Sequence, residues 1–340
     1  MVGGDKLVFL ILGCQISKPT SPALLHLHPS PTSFTMEPDY DLQELLKTDI
    51  RTKIPEAVVS KITSSPPWVT VPGAFNVRDI GHSPSTPNVR SGFIYRSGVL
   101  AGIKDEGKSV LRDSMHITTI YDLRKPQERE KSPSPDIEGV ETVWLPYGTE
   151  PAPVDLKLFG CGDSGASGYA KMYLDIADVL VPTYRRVFEH IRDFPEKPFM
   201  FHCMGEFSYF IDFIGRVHRC AVILTFLGGK DRTGVLAALI LRLADSSYEA
   251  IANDYVLTRI GVEPARDALM AAVKLNLFDI GETNEDVGLL ELCSVKVSAM
   301  AGFLKTIEDS YQEGVKGYVK EKLGFSEEDV QKMCSNLRGE

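Results

Sequence analysis

The stretch from 228 to 243 restricts the fold more than any other. It opens with Gly228-Gly229-Lys230-Asp231-Arg232-Thr233-Gly234 and continues Val-Leu-Ala-Ala-Leu-Ile-Leu-Arg-Leu. The second part is apolar on nearly every face of a 3.6-residue repeat, which predicts a helix buried on most sides. The first part predicts a tight loop that delivers charge to the start of that helix. A helix so enclosed needs other layers around it. Short aromatic or β-branched runs at 93–95, 117–122, 141–145 and 199–202 read as strands, and helical patterns separate them. The alternation predicts an α/β fold with a mainly parallel central sheet flanked by helices. Beyond Ser246 and Glu249, a capping-box spacing, only helical patterns follow, so the C-terminal part is predicted to be helical.

Further elements fill in around this frame. A helical pattern covers 38–62, and Pro66 and Pro67 end it. Residues 104–114 and 169–193 are predicted helices, the second broken at Pro182. Residues 148–168 are rich in Gly, Pro and Ser and read as a mobile loop. Ser326 and Asp329 open a last helix that stops near Gly339. Residues 1–35 read as a disordered or spurious extension, with Met36 as an alternative start. Residues 36–340 read as a single domain. The apolar run at 6–13 is marginal as a signal peptide, and no stretch reaches the length of a membrane span.

The net charge of -9 argues against a general nucleic-acid binder. The six cysteines are dispersed with no CxxC pair, so neither a disulfide framework nor a metal site is expected. With no Asn-x-Ser/Thr sequon, a cytoplasmic setting fits, where a reactive thiol stays usable.

The chemistry concentrates in His202-Cys203-Met204, at a predicted strand end, and in 228–234, at a predicted helix start. A loop between strand and helix can aim successive N–H groups into one concavity that holds a phosphate dianion. The same amides and the helix dipole lower a thiol pKa, so Cys203 is expected as a thiolate nucleophile. Arg232 would grip two phosphate oxygens with its planar fork. Gly228, Gly229 and Gly234 would let backbone approach the anion. Lys230 would add a second cation at the phosphate, and Thr233 a hydroxyl to the thiolate or intermediate.

These pieces resemble the Cys-x5-Arg loop of protein tyrosine phosphatases. More narrowly they resemble the His-Cys-x-x-Gly-Lys-Asp-Arg-Thr-Gly variant of the tyrosine/serine phosphatase family, which includes lipid-active bacterial enzymes. Residues 76–81 resemble that family's Asn-Phe-Arg-Asp-Leu-Gly motif. Tyr95-Arg96-Ser97-Gly98, Asp122-Leu123-Arg124 with Glu128, Asp254-Tyr255 and 317–319 resemble its later landmarks. The likeness covers about 70 to 338. It implies a tyrosine-phosphatase-like fold and hydrolysis of phosphate monoesters through a cysteinyl-phosphate, with no cofactor and no metal. Its partners would be phosphotyrosine or dual-specificity protein substrates, or phosphoinositides. It also implies supporting roles for His202, Arg78 and Asp79, the last two bracing the loop from beneath. The general acid is expected at Asp231, with Glu150 as a weaker candidate. Asp122 reads as structural.

One departure is plain. Five residues should separate Cys203 from Arg232, and here 28 do. Removing 205–227 restores the spacing. Gly-Glu-Phe at one edge and Thr-Phe-Leu-Gly at the other can be encoded by intron-boundary sequences, so the segment reads as a translated intron. The rival is a genuine loop insertion. It would place apolar residues such as Phe207, Tyr209 and Phe213 beside the site, and separate the amides that should adjoin the thiolate. An inert or anion-binding protein with the same fold is the alternative to an enzyme. Cys220 cannot replace Cys203, because 11 residues rather than five separate it from Arg232. Gly228-Gly229-Lys230 fails as a nucleotide P-loop, because Asp231 stands where Ser or Thr is needed.

Overall fold

A computed structural model of the chain describes residues 41–82, 86, 88–149, 152–212, 219–226, 228–276 and 284–340. For 205–212, 219–226, 272, 274–276 and 284–285 only the backbone is described. The expected disordered 1–35 and the candidate Glu150 lie outside these residues.

Among the described residues seven strands are present: β1 (Arg78–Asp79), β2 (Ile94–Ser97), β3 (Thr119–Asp122), β4 (Glu141–Val143), β5 (Phe199–His202), β6 (Gly205–Asp212) and β7 (Arg219–Phe226). The first five form one sheet in the order β1-β2-β5-β3-β4. Only the β1–β2 pair is antiparallel within it. The expected mainly parallel sheet is therefore observed. In β5 every residue is buried, as expected of a central strand covered on both faces. Alternation of side chains sorts the two covers. Phe199 and Phe201 join the larger apolar cluster, which includes Phe93, Tyr121 and most of the helical part. Met200 joins a smaller cluster with Tyr95, Leu111 and Ile120 on the other face.

The helices are α1 (Leu42–Leu46), α2 (Glu56–Thr63), α3 (Asp105–Ser109), α4 (Pro126–Lys131), α5 (Leu156–Phe159), α6 (Ala166–Val179), α7 (Val181–Asp193), α8 (Asp231–Leu243), α9 (Tyr248–Gly261), α10 (Glu263–Asn276), α11 (Asn284–Cys293), α12 (Val297–Ser310), α13 (Val315–Glu321) and α14 (Glu327–Arg338). The enclosed helix predicted after Thr233 is α8, in which all residues but Arg242 are buried. The predicted helix over 169–193 is two helices parted at Leu180. Pro182 sits in the first turn of α7, where its missing N–H has no intrahelical partner to lose. The expected loop over 148–168 contains α5. The predicted cap at Ser246 is displaced by one residue, because Ser247 is the side chain that accepts from the Ala250 N–H. The Ser326–Asp329 capping box forms as expected.

Register places the site. His202 ends β5 opposite Ser97 of β2 and Asp122 of β3. Three parallel strands thus terminate at one level, and the carboxyl ends of parallel strands are where α/β sheets leave a crevice. Among the described residues no single helix is long and apolar enough to cross a membrane.

Candidate active site

Cys203 is the first residue beyond β5, and Arg232 and Thr233 lie in the first turn of α8. The structure brings the three together. The Thr233 hydroxyl is buried and has no hydrogen-bond partner among the nitrogen and oxygen atoms around it. It lies beside the Cys203 sulfur, where it and the Thr233 N–H favour the thiolate. Burial outweighs them. Cys203 is 1% exposed, and that desolvation pushes its thiol above the ordinary value despite the nearby Arg232 guanidinium. Burial in this closed site thus works against the thiolate expected at neutral pH. His202 is fully enclosed as well. Burial lowers it to about 4, neither ring nitrogen has a hydrogen-bond partner, and its Nε2 is 4.0 Å from Asp122 Oδ1.

Arg232 is held from the sheet side. Its Nη1 donates to Glu128 Oε2 at 2.6 Å, to Leu123 O at 3.0 Å and to the Tyr147 hydroxyl at 2.8 Å; its Nη2 donates to Glu128 Oε1 at 2.8 Å. Glu128 stands at the third position of α4 and also accepts from the Lys125 N–H. Asp122 organises the ground below, accepting from Arg124, Arg129 and Ser134, the structural role expected for it. The bidentate carboxylate fixes the plane of the guanidinium. Among the described residues, nothing accepts from Arg232 Nε. The Nε–Nη2 edge, the geometry that pairs with two oxygens of a phosphate, remains available.

Gly228 and Gly229 are pinned from beneath. Asn76 Nδ2 donates to Gly228 O at 2.6 Å, and Arg96 Nη2 to Gly229 O at 3.1 Å. Arg78 Nη1 donates to Asn76 Oδ1, and Arg78 Nε to Asp254 Oδ1 at 2.8 Å. Arg96 Nη1 donates to the other oxygen of Asp254. Gly229 has φ +61°, and a Cβ there would stand 2.0 Å from Ser97 O, so the close approach requires glycine. At Gly234 an added Cβ would press on the Tyr255 ring at 3.1 Å, so this glycine serves helix packing.

Two expected roles, those of Lys230 and Asp79, are placed elsewhere. Lys230 is buried and turned toward the helices, with Nζ 2.7 Å from Asp231 Oδ1, 3.1 Å from the Tyr169 hydroxyl and 3.2 Å from Leu292 O. Its neighbours, not a phosphate cradle, satisfy this ammonium. Asp231 accepts through that same Oδ1 from the Tyr173 hydroxyl at 2.8 Å; only Oδ2 has no hydrogen bond among the described residues. Asp79 does not brace the loop. It accepts from Gly81 N, Ser91 Oγ and Gly92 N and closes the neighbouring turn. Asn76, Arg96, Tyr147, Tyr173 and Asp254 were not singled out as site residues. Their bonds to Gly228, Gly229, Arg232, Asp231 and Arg78 span 58 to 176 positions in sequence, and no local spacing reveals them.

Residues 205–212 and 219–226 form a two-stranded antiparallel ribbon with Gly205 paired to Phe226. The 23-residue departure thus leaves and returns at adjacent points, about 5 Å apart for such a pair. This is why Cys203 and Arg232 still meet across it. The side chain of Cys220 lies outside the described residues. Among the described residues no group of three or more His, Cys, Asp or Glu side chains is placed to hold a metal ion.

The chain is 25% identical over 287 residues to the triple specificity protein phosphatase PtpB of Mycobacterium tuberculosis, covering 79% of this chain and 98% of that protein. The core catalytic domain of the PP-IP phosphatase SIW14 from S. cerevisiae aligns over 56% of this chain and 93% of its own, at 16% identity and a TM-score of 0.26. The sequence model of the tyrosine phosphatase family matches residues 69–205 and again 206–339, nearly all of the chain beyond the first two helices. The chain therefore belongs to the tyrosine phosphatase family, whose members are phosphatase hydrolases.

Proposed function

We propose that this fold hydrolyses phosphate monoesters through a cysteinyl-phosphate at Cys203. The observation that carries this is the meeting of the Cys203 sulfur, the orphaned Thr233 hydroxyl and the open Nε–Nη2 edge of Arg232. In the first step the thiolate attacks phosphorus; a P–S bond forms, the ester P–O bond breaks, and the leaving oxygen takes a proton. In the second, water attacks phosphorus, and inorganic phosphate and the thiolate are released. Arg232 follows the equatorial oxygens through both steps. Asp231 acts as the acid through Oδ2. The substrates are phosphotyrosine or dual-specificity phosphoproteins, with phosphoinositides as a further class.

A second reading rests on a separate observation. Cys203 is 1% exposed and burial holds it as a thiol, so the chain with 205–227 present is catalytically impaired. The segment is a translated intron on this reading. The five-residue spacing between Cys203 and Arg232 that returns when 205–227 are removed supports it. Genomic sequence with no GT and AG pair at the two edges would end the intron proposal. Hydrolysis of p-nitrophenyl phosphate should be compared for the full chain, for the version lacking 205–227, and for that version with Cys203→Ser. Turnover is expected only in the second. An inert shortened protein would sink the phosphatase mechanism, whereas turnover by the full chain would sink the impairment.

A further inference from the structure

We infer that Asn76 and Arg96, keyed by Asp254, are positioning residues that aim the Gly229 and Lys230 amide N–H groups into the anion site. The inference rests on reading Cys203 and Arg232 as an anion cradle. In a trans peptide the C=O of one residue and the N–H of the next point in opposite directions. Asn76 fixes the Gly228 carbonyl and Arg96 fixes the Gly229 carbonyl, both from the β1–β2 side. The N–H groups of Gly229 and Lys230 must then point away from that side.

The two clamps share one source. Asp254, in α9, receives Arg78 on one carboxylate oxygen and Arg96 on the other. Arg78 in turn orients Asn76 by donating to its Oδ1, which leaves the Asn76 amide nitrogen facing Gly228 O. Arg78 is further locked to Asp254 O and Thr258 Oγ1 at 2.9 and 3.0 Å. Arg78, Arg96 and Asp254 are all buried, so water does not compete for these bonds. A carboxylate on a distant helix thereby sets two peptide planes of the loop. None of these residues touches the anion itself.

The test uses the full chain and sodium tungstate as the probe, titrated by calorimetry well below the thermal midpoint of each protein. Asp254→Asn removes the key but leaves two buried guanidiniums with a weaker partner, and folding can suffer. Asn76→Asp is the finer variant. It keeps the acceptor for Arg78 and replaces only the donor to Gly228 O with an oxygen, which repels that carbonyl. We expect Asn76→Asp to fold and to bind tungstate at least tenfold more weakly. In the unsubstituted chain, the Gly229 and Lys230 amide protons should shift downfield on tungstate addition, a readout that needs no variant. A purely structural role would lower the thermal midpoint while leaving affinity and amide shifts unchanged, and that result overturns the inference. If the unsubstituted chain binds no tungstate, or Arg232→Ala binds it equally, the cradle itself fails and the inference falls with it. Binding that needs Arg232 yet is indifferent to Asn76→Asp overturns the positioning role alone.

Discussion

The two sides of the α8 N-terminus treat adjacent cations in opposite ways. On the helical side, Lys230 is enclosed by Asp231, Tyr169 and Leu292 O, with its ammonium 4.6 Å from the centre of the Tyr169 ring. On the sheet side, Arg232 is gripped along one edge by Glu128 and Tyr147 and presents the other. Two residues apart on a helix is a rotation of about 200°, so the cations cannot share one anion unless the loop before the helix bends Lys230 back. Here it does not. A buried cation whose contacts are complete contributes to the fold. A buried cation held by a carboxylate on one edge only is prepared for a second anion.

The largest expected effect falls on the helical side. Lys230→Met strands Asp231 without its ion partner and should cost roughly 3–5 kcal/mol in denaturant unfolding, with tungstate affinity retained in whatever folds. A stable Lys230→Met protein that has lost anion affinity would erase the contrast. On the sheet side the expectation reverses. In the version lacking 205–227, Arg232→Lys should lower kcat/KM for p-nitrophenyl phosphate about 10²–10³-fold, since an ammonium cannot present two parallel donors. Tyr173→Phe removes one donor to Asp231 and the 2.7 Å contact to the Tyr255 hydroxyl, and should cost about 1–2 kcal/mol with little change in KM. The smallest effects are in pH dependence. Arg78 and Arg96 overcome burial and hold Asp254 below its usual value. Its contribution to stability is thus present above pH ~4 and is lost as pH falls through the folded value; Asp254→Asn should flatten that acid limb. Cys203, raised by burial, should react with iodoacetamide slowly at neutral pH and faster only in the alkaline range. Rapid alkylation at neutral pH would show that the thiol is not shut away.

Much of the frame was legible in the sequence because burial leaves a local mark. Phe199–His202 is apolar without alternation up to its final residue, and α8 is apolar all round; both patterns follow from being covered on every side. The meeting of Cys203 with Arg232 was legible as well, once 205–227 were set aside. The orientation of Lys230 was not. It is decided by Tyr169 and Leu292, 61 and 62 positions away, and no spacing within 228–234 encodes them. Asp79 was misplaced for a related reason. Arg78 and Asp79 are neighbours on a strand, where successive side chains face opposite ways; Arg78 reaches Asn76 and Asp254, while Asp79 turns to Ser91 and Gly92.

The antiparallel ribbon between Cys203 and Gly228 has a consequence for engineering. Its feet stand side by side, so strand and helix register does not depend on how much chain is carried between them. The junction works as a socket. An epitope, a reporter domain or a protease-cleavable hairpin whose ends are close together can be exchanged for the ribbon without asking β5 or α8 to move.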